Sequence, residues 1–197
     1  MIEGREYADP ELVPLLEEAL SGLGAEDSAL RARLLARLAG ALRDRPAREP
    51  RNSLSAQAVE VARRIGDRST LSYALEARWG AIWWIENAAE RLAIADELVE
   101  LASRSSDPER TFEAHLNQAS SLYELGRIHE AEAAFELARI TADRLGQPTQ
   151  RWIVAEHTKD ATDFRTAGRT QTSDRSSQPR VMRLLTLVPP ESFSVSV

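Results

Sequence analysis

The sequence predicts an all-α chain built from repeated helix pairs, and three observations carry that prediction. The first is composition: 30 Ala and 24 Arg stand against 9 Gly and 9 Pro in 197 residues, a balance that favours helix because Ala and Arg lose little on entering one. The second is apolar spacing of three and four residues in one stretch after another. The third is an internal repeat. Ala62-Arg63-Arg64-Ile65-Gly66-Asp67-Arg68 aligns with Ala102 to Pro108 and again with Ala142 to Pro148, at an offset of 40 both times. The same offset superposes Leu35, Ala39 and Leu42 on Leu75, Trp79 and Ile82, and these on His115, Ala119 and Leu122. Repeats of such length imply stacked two-helix units.

The elements follow in order. In unit one the spacing predicts a helix from about Ser28 to Arg43, with Asp27 or Ser28 as N-cap and Leu30, Leu34, Leu35, Leu38 and Leu42 along its stripe. Pro46 and Pro50 follow as stops. Its partner runs from about Leu54 to Ile65 and closes at Gly66, a residue type that accepts the left-handed C-cap. Unit two repeats the pattern over about Thr70 to Trp84 and Ala88 to Ser103. Unit three opens at Asp107-Pro108, a cap followed by a proline at the first helical position, and spans about Pro108 to Leu125 and Ile128 to Leu145.

Composition sets limits as well. A chain of this length has room for one ordinary domain or a short repeat array. No Cys is present, which excludes disulfides and thiolate metal sites. No run approaches the ~20 apolar residues of a membrane span, and the N-terminus has no apolar secretory core, so a cytoplasmic location is expected, without membrane contact. Residues 1–155 carry 26 acids and 19 bases, and residues 156–197 carry 5 and 6. An acidic body offers no basic stripe for phosphates, so direct nucleic-acid binding is not expected.

Leu125-Gly126-Arg127-Ile128-His129-Glu130-Ala131, followed by Phe135 and Ala138, resembles the second half of a tetratricopeptide motif. Gly126 turns the chain, Ala131 and Ala138 permit close helix approach, and Phe135 fills the space between. Ala119 stands where that motif usually has Gly, and the period exceeds the usual ~34. The resemblance implies a tetratricopeptide-like, right-handed helical-repeat solenoid over residues 7–152.

Over residues 7 to about 152 the wording also resembles the helical-repeat region of large ATP-binding LuxR-type transcriptional regulators. The stretches are Asp9-Pro10-Glu11-Leu12-Val13 with Leu15 to Leu20, Leu30 to Ala39, Glu90-Arg91-Leu92-Ala93 with Asp96-Glu97-Leu98, and Gln147-Pro148 with Arg151-Trp152. The resemblance implies a sensor region that serves signal transduction and transcription regulation beside other domains of a longer regulator, with Met1 as an internal start. No Gly-rich loop ending in Gly-Lys-Ser/Thr accompanies it, and no second recognition helix with clustered Arg, so neither ATPase activity nor DNA binding carries over. The alternative is a free-standing tetratricopeptide-like adaptor for protein-protein interaction.

Beyond Trp152 the pattern breaks. Residues 158–180 hold eight Ser or Thr and no Leu, Ile, Val or Met, too little apolar surface to offset chain entropy. Residues 153–197 are therefore expected to be a polar, disordered tail with one short apolar segment, 181–188. That segment reads either as a docking element or edge strand, or as part of an out-of-frame, non-native ending on a truncated gene. Absence of a fourth unit predicts self-association through the exposed end of unit three.

Catalysis has little to stand on. His115, His129 and His157 are scattered, and His115 occupies a position held by Leu35 and Leu75, so no enzyme, metal or cofactor is expected. Binding is the expected role. Trp79 shares a register with the core positions Ala39 and Ala119, whereas Trp83 shares one with Arg43 and Tyr123, which the tetratricopeptide resemblance puts on the inner, concave surface. The candidate groove comprises Arg33 and Arg43 from unit one, Tyr73, Glu76 and Trp83 from unit two, and Glu113, Leu116, Ser120, Tyr123 and Glu124 from unit three. Aromatic anchors within a polar rim suit a peptide, a partner helix or a small effector.

Overall fold

A computed structural model describes residues 11–43 and 45–157. They are helical wherever they are regular, with no strand among the described residues. The helices are α1 (Leu12–Gly22), α2 (Ala29–Ala41), α3 (Glu49–Ile65), α4 (Arg68–Ala81), α5 (Ala88–Ser103), α6 (Pro108–Glu124) and α7 (Ile128–Leu145), with a 3-10 turn at Ile85–Asn87. None is long and apolar enough to cross a membrane. The chain divides into two compact units, Met1–Ala138 and Arg139–Val197.

Local chemistry explains where the helices start and stop. Ser28 caps α2 by accepting from Arg31 N at 3.1 Å. Asp67 caps α4 by accepting from Thr70 N at 2.9 Å, and Asp107 caps α6 by accepting from Glu109 N and Arg110 N at 3.0 and 3.2 Å. Each such cap satisfies donors that the first turn leaves orphaned and contributes about 1 kcal/mol. At the other ends, Gly66 (φ +75°) closes α3 and donates to Ala62 O at 3.1 Å, and Gly126 (φ +73°) turns the chain between α6 and α7.

Packing within the first unit is helix on helix. Ala32, Leu35 and Ala36 of α2 meet Ala58, Val61 and Ala62 of α3 and Ala74 of α4, and alanines at the crossings let the backbones approach closely. Val13 and Leu16 of α1 pack on Leu38 and Leu42. Farther along, Leu92 of α5, Ala119 and Leu122 of α6, and Ala131 and Ala134 of α7 form one cluster, with Tyr123 and Phe135 against it. The first helices of the pairs, α2, α4 and α6, start at residues 29, 68 and 108, and the second helices at 49, 88 and 128.

Several boundaries differ from the sequence expectation. α3 begins at Glu49 rather than about Leu54, with Pro50 inside its first turn, where a proline gives up no intrahelical hydrogen bond. α4 ends at Ala81, because Trp84 is extended (φ −140°, ψ 151°) and its N–H turns back to Ile82 O at 2.8 Å. Leu30, expected on the apolar stripe, is 54% exposed in the first turn of α2. Residues 148–157 are helical and Ile153 and Val154 are buried, so helix continues five residues past Trp152. The remainder of the expected tail, residues 158–197, lies outside the described residues.

Candidate functional site

One face of α2, α4 and α6 gathers the groove residues, and its construction starts from the forty-residue spacing. Arg33 of α2 places its guanidinium carbon 5.7 Å from the Tyr73 ring centroid on α4 and donates from Nη2 to Ser69 Oγ at 3.3 Å. Near the other ends of the same helices, Arg43 Nη2 comes within 3.5 Å of the point a Gly80 Cβ would occupy. Arg43 therefore lies against α4 at a distance that a small side chain at Gly80 would meet as ordinary van der Waals contact. Both arginines are exposed, and cations beside an aromatic ring and a bare backbone remain available to anions.

Between α4 and α6 the charge reverses. Glu76 and Glu113 are partly buried and near enough for the Glu76 charge to act on Glu113. Loss of hydration pushes both carboxyls up to about 7; Glu76 and Glu109 push Glu113 further the same way, while for Glu76 Arg110 opposes and Asp107 assists. Arg110 is itself paired with Asp107, Nε to Oδ2 at 3.2 Å, so it does not serve Glu76 as a dedicated counter-ion.

Toward the C-terminal ends of α4 and α6 stands a buried aromatic and ionic cluster. Trp79, 4% exposed, donates from Nε1 to Ser121 Oγ at 3.1 Å, and Ser121 donates on to Asn117 O at 3.0 Å. Trp83 meets Trp79 edge-on, centroids 4.6 Å apart at 74°, the preferred geometry for two quadrupolar rings. Arg91 of α5, fully buried, lies 5.3 and 5.2 Å from the Trp79 and Trp83 centroids and pairs through Nη2 with Glu124 Oε2. Its Nε and Nη1, like Trp83 Nε1, have no hydrogen-bond acceptor among the described residues. The indole rings stand in for acceptors there. Desolvation pushes the Arg91 guanidinium down to about 10, so it stays charged at neutral pH.

The expected groove residues thus fall into three groups. Arg33, Arg43, Tyr73, Glu76 and Glu113 share the α2–α4–α6 face, in the neighbour relations described. Trp83 and Glu124 are drawn to Arg91, while Tyr123, partly buried, packs beside Leu92 and Ala119. Leu116 and Ser120, 1% and 4% exposed, lie beneath the face in the core. Their common spacing with groove positions on the other helices does not carry over to exposure, because α6 is covered more completely than α2.

Arg91 was not apparent from charge patterning, yet a signal exists. The buried positions Ala88, Arg91, Leu92 and Ala95 are spaced as an apolar helix stripe, so a cation stands where the pattern calls for an apolar residue. The histidines do not converge: His115 is partly buried and pushed down by desolvation, and His129 is exposed beside Glu132 at 3.9 Å. Among the described residues no group of three or more His, Asp or Glu could hold a metal ion.

Comparison with family models, with curated proteins and with solved structures finds no match to this chain.

Proposed function

We propose that the chain is a non-catalytic binding or sensor module, a tetratricopeptide-like helical-repeat region of a LuxR-type ATP-dependent transcriptional regulator, working in the cytoplasm. A single observation carries the binding role: residues about forty apart on neighbouring helix pairs, Arg33 of α2 beside Tyr73 of α4 and Arg43, just past the end of α2, beside Gly80 of α4, stand next to each other. Side chains from successive helix pairs therefore meet on one side of α2 and α4, and Glu76 and Glu113 carry this surface toward α6. Such a face, charged at its surface and backed by Trp79, Trp83 and Leu116, suits a peptide or partner helix laid across the helices.

Peptides of twelve residues displayed on phage and selected on the full chain test this reading. Selected peptides are expected to bind the wild-type chain at least tenfold more tightly than a variant carrying Arg33→Ala, Tyr73→Ala and Arg43→Ala. They should bind equally to Arg63→Ala, on α3. Equal binding to the triple variant overturns the reading. Sequencing the DNA on both sides of this coding region tests the regulator assignment: a nucleotide-binding loop or a helix-turn-helix continuous in frame supports it, and neither overturns it.

A further inference from the structure

We propose that the seam between α2 and α4 binds an extended acidic segment of a partner protein, one of its carboxylates at Arg33 and a second at Arg43. The proposal rests on the binding role argued above and names the chemistry of its occupant. Distances locate both cations: Arg33 lies 5.7 Å from the Tyr73 ring centroid and donates to Ser69 Oγ at 3.3 Å, and Arg43 Nη2 lies against Gly80. Both side chains are exposed, and among the described residues neither is ion-paired with an acid. Elsewhere the arginines find carboxylates: Arg48, Arg63, Arg64, Arg78 and Arg91 are each paired with an acid from another part of the chain. In a chain with 31 acids and 25 bases, an acid could readily have stood opposite Arg33 and Arg43. Residues 28–48 instead hold six Arg and a single acid, Asp44.

Neighbouring acids do not cancel these charges. Asp67 feels the Arg33 cation, but its carboxylate is committed to Thr70 N and Oγ1 as the cap of α4. Glu76, on the same helix as Tyr73 and Gly80, is acted on by Arg110 and Asp107 rather than by either arginine. The surface between the two cations is low. Gly40, seven residues after Arg33 and so on the same side of α2, would place a Cβ with nothing within 4 Å, and a Cβ at Gly80 would meet only Arg43 itself. Ser69 and Tyr73 mark the Arg33 guanidinium and Gly80 marks that of Arg43, seven to eleven residues apart on α4, or about 10–16 Å at the rise of an α-helix. Four residues of extended chain span ~13 Å, so the two carboxylates belong to residues about four apart. Each guanidinium offers a carboxylate charge-assisted hydrogen bonds, and complementary charge at two points sets the register of the segment. A nucleic acid fits less well, since the net charge of −6 repels a polyanion beyond these two contacts.

The test uses three synthetic heptapeptides with blocked termini: Gly-Glu-Ser-Ala-Ser-Glu-Gly, its analogue with Gln in place of both Glu, and the isomer Gly-Ser-Glu-Glu-Ala-Ser-Gly. Blocking removes the terminal carboxylate, so only side chains can serve. Titrated into the isotope-labelled full chain at low salt, the first peptide is expected to shift the amide resonances of Gly40 and Gly80 with a saturable profile. The Gln analogue should bind about fivefold more weakly, the effect of two exposed charge pairs acting together, and the isomer about twofold more weakly, since it reaches one guanidinium at a time. The paired variant Arg33→Gln, Arg43→Gln should bind all three alike, whereas Arg104→Gln, at the end of α5, should keep the wild-type ranking. Binding of the first peptide no tighter than either of the others, or a paired variant that keeps the preference, overturns the proposal. So does an oligothymidylate of the same length that binds more tightly than the first peptide at equal salt. Should phage-selected peptides bind the face while lacking any acidic residue and ignoring the paired Gln variant, the binding role stands and this inference alone falls; should nothing bind the face, both fall.

Discussion

Arg91 reaches the carboxylate of Glu124 from a side chain with no exposed surface, while Glu124 keeps 20% of its own. The pair joins α5 to α6, and its two members are unequal: only the cation is fully desolvated. Breaking such a pair from one side strands a charge, at a cost of roughly 3–5 kcal/mol. Glu124→Gln is expected to cost near the upper part of that range, because it leaves the guanidinium with the Trp79 and Trp83 rings alone. The double variant Arg91→Met, Glu124→Leu should recover most of the loss, since it removes both charges together. Urea unfolding of wild type, Arg91→Met, Glu124→Leu and the double variant, read as a double-mutant cycle, measures the coupling; purely additive losses would contradict this account.

Glu76 and Glu113 make a second prediction, about pH. Their folded values, about 7 each, lie above the unfolded 4.5. Between those values the folded chain holds more protons than the unfolded one, so stability falls as pH rises through this window and levels off above it. The full shift is worth on the order of 3 kcal/mol for one such group, reduced by their partial solvation. Glu76→Gln, Glu113→Gln should therefore unfold at higher urea than wild type at pH 8 and at nearly the same urea at pH 5. A variant no more stable at pH 8 than at pH 5, relative to wild type, would sink the prediction.

Much of this arrangement was legible in the sequence, and the reasons are local. Gly66, Asp107 and Pro108 mark boundaries because φ above zero, a side-chain cap and a first-turn proline are chemical demands met by few residue types. Ala88–Ser103 and Ile128–Leu145 are bounded as the spacing predicts. Arg33 and Tyr73 were both legible as groove positions, though their contact was not. Burial was less legible. Leu116 and Ser120 have groove spacing but sink into the core, since exposure depends on neighbours that a single helix does not name. Arg91 was hidden for the opposite reason: charge suggests surface, and only the indoles of Trp79 and Trp83 with Glu124 make its burial tolerable. α1 was not resolved as an element from spacing, and it is held by two buried residues, Val13 and Leu16.

Trp79 and Ser121 provide a third prediction. The indole N–H has Ser121 Oγ as its acceptor, and that hydroxyl in turn uses its proton on Asn117 O. Ser121→Ala removes the acceptor and leaves a buried donor orphaned, costing about 1–3 kcal/mol. In a Trp79→Phe background the same change should cost well under half as much, because no donor remains to be orphaned. Thermal unfolding of the two pairs decides it, and equal losses in both backgrounds would show that the hydrogen bond contributes nothing.

Glycines at two positions should respond to alanine with opposite sign. Gly66 sits at φ +75° at the end of α3, where a Cβ meets the following backbone and costs about 1–2 kcal/mol in the left-handed region. Gly40 lies within α2, has no positive φ, and would place a Cβ with nothing within 4 Å. There alanine removes backbone freedom from the unfolded chain and improves helix propensity, a gain of about 0.5–1 kcal/mol in a helix interior and somewhat less this close to its end. Gly66→Ala is thus expected to lower the urea midpoint and Gly40→Ala to raise it, with unchanged m-values for both. A loss at Gly40 comparable with that at Gly66 would mean that α2 needs the glycine for some contact other than those seen, and the open face over this helix would have to be redrawn.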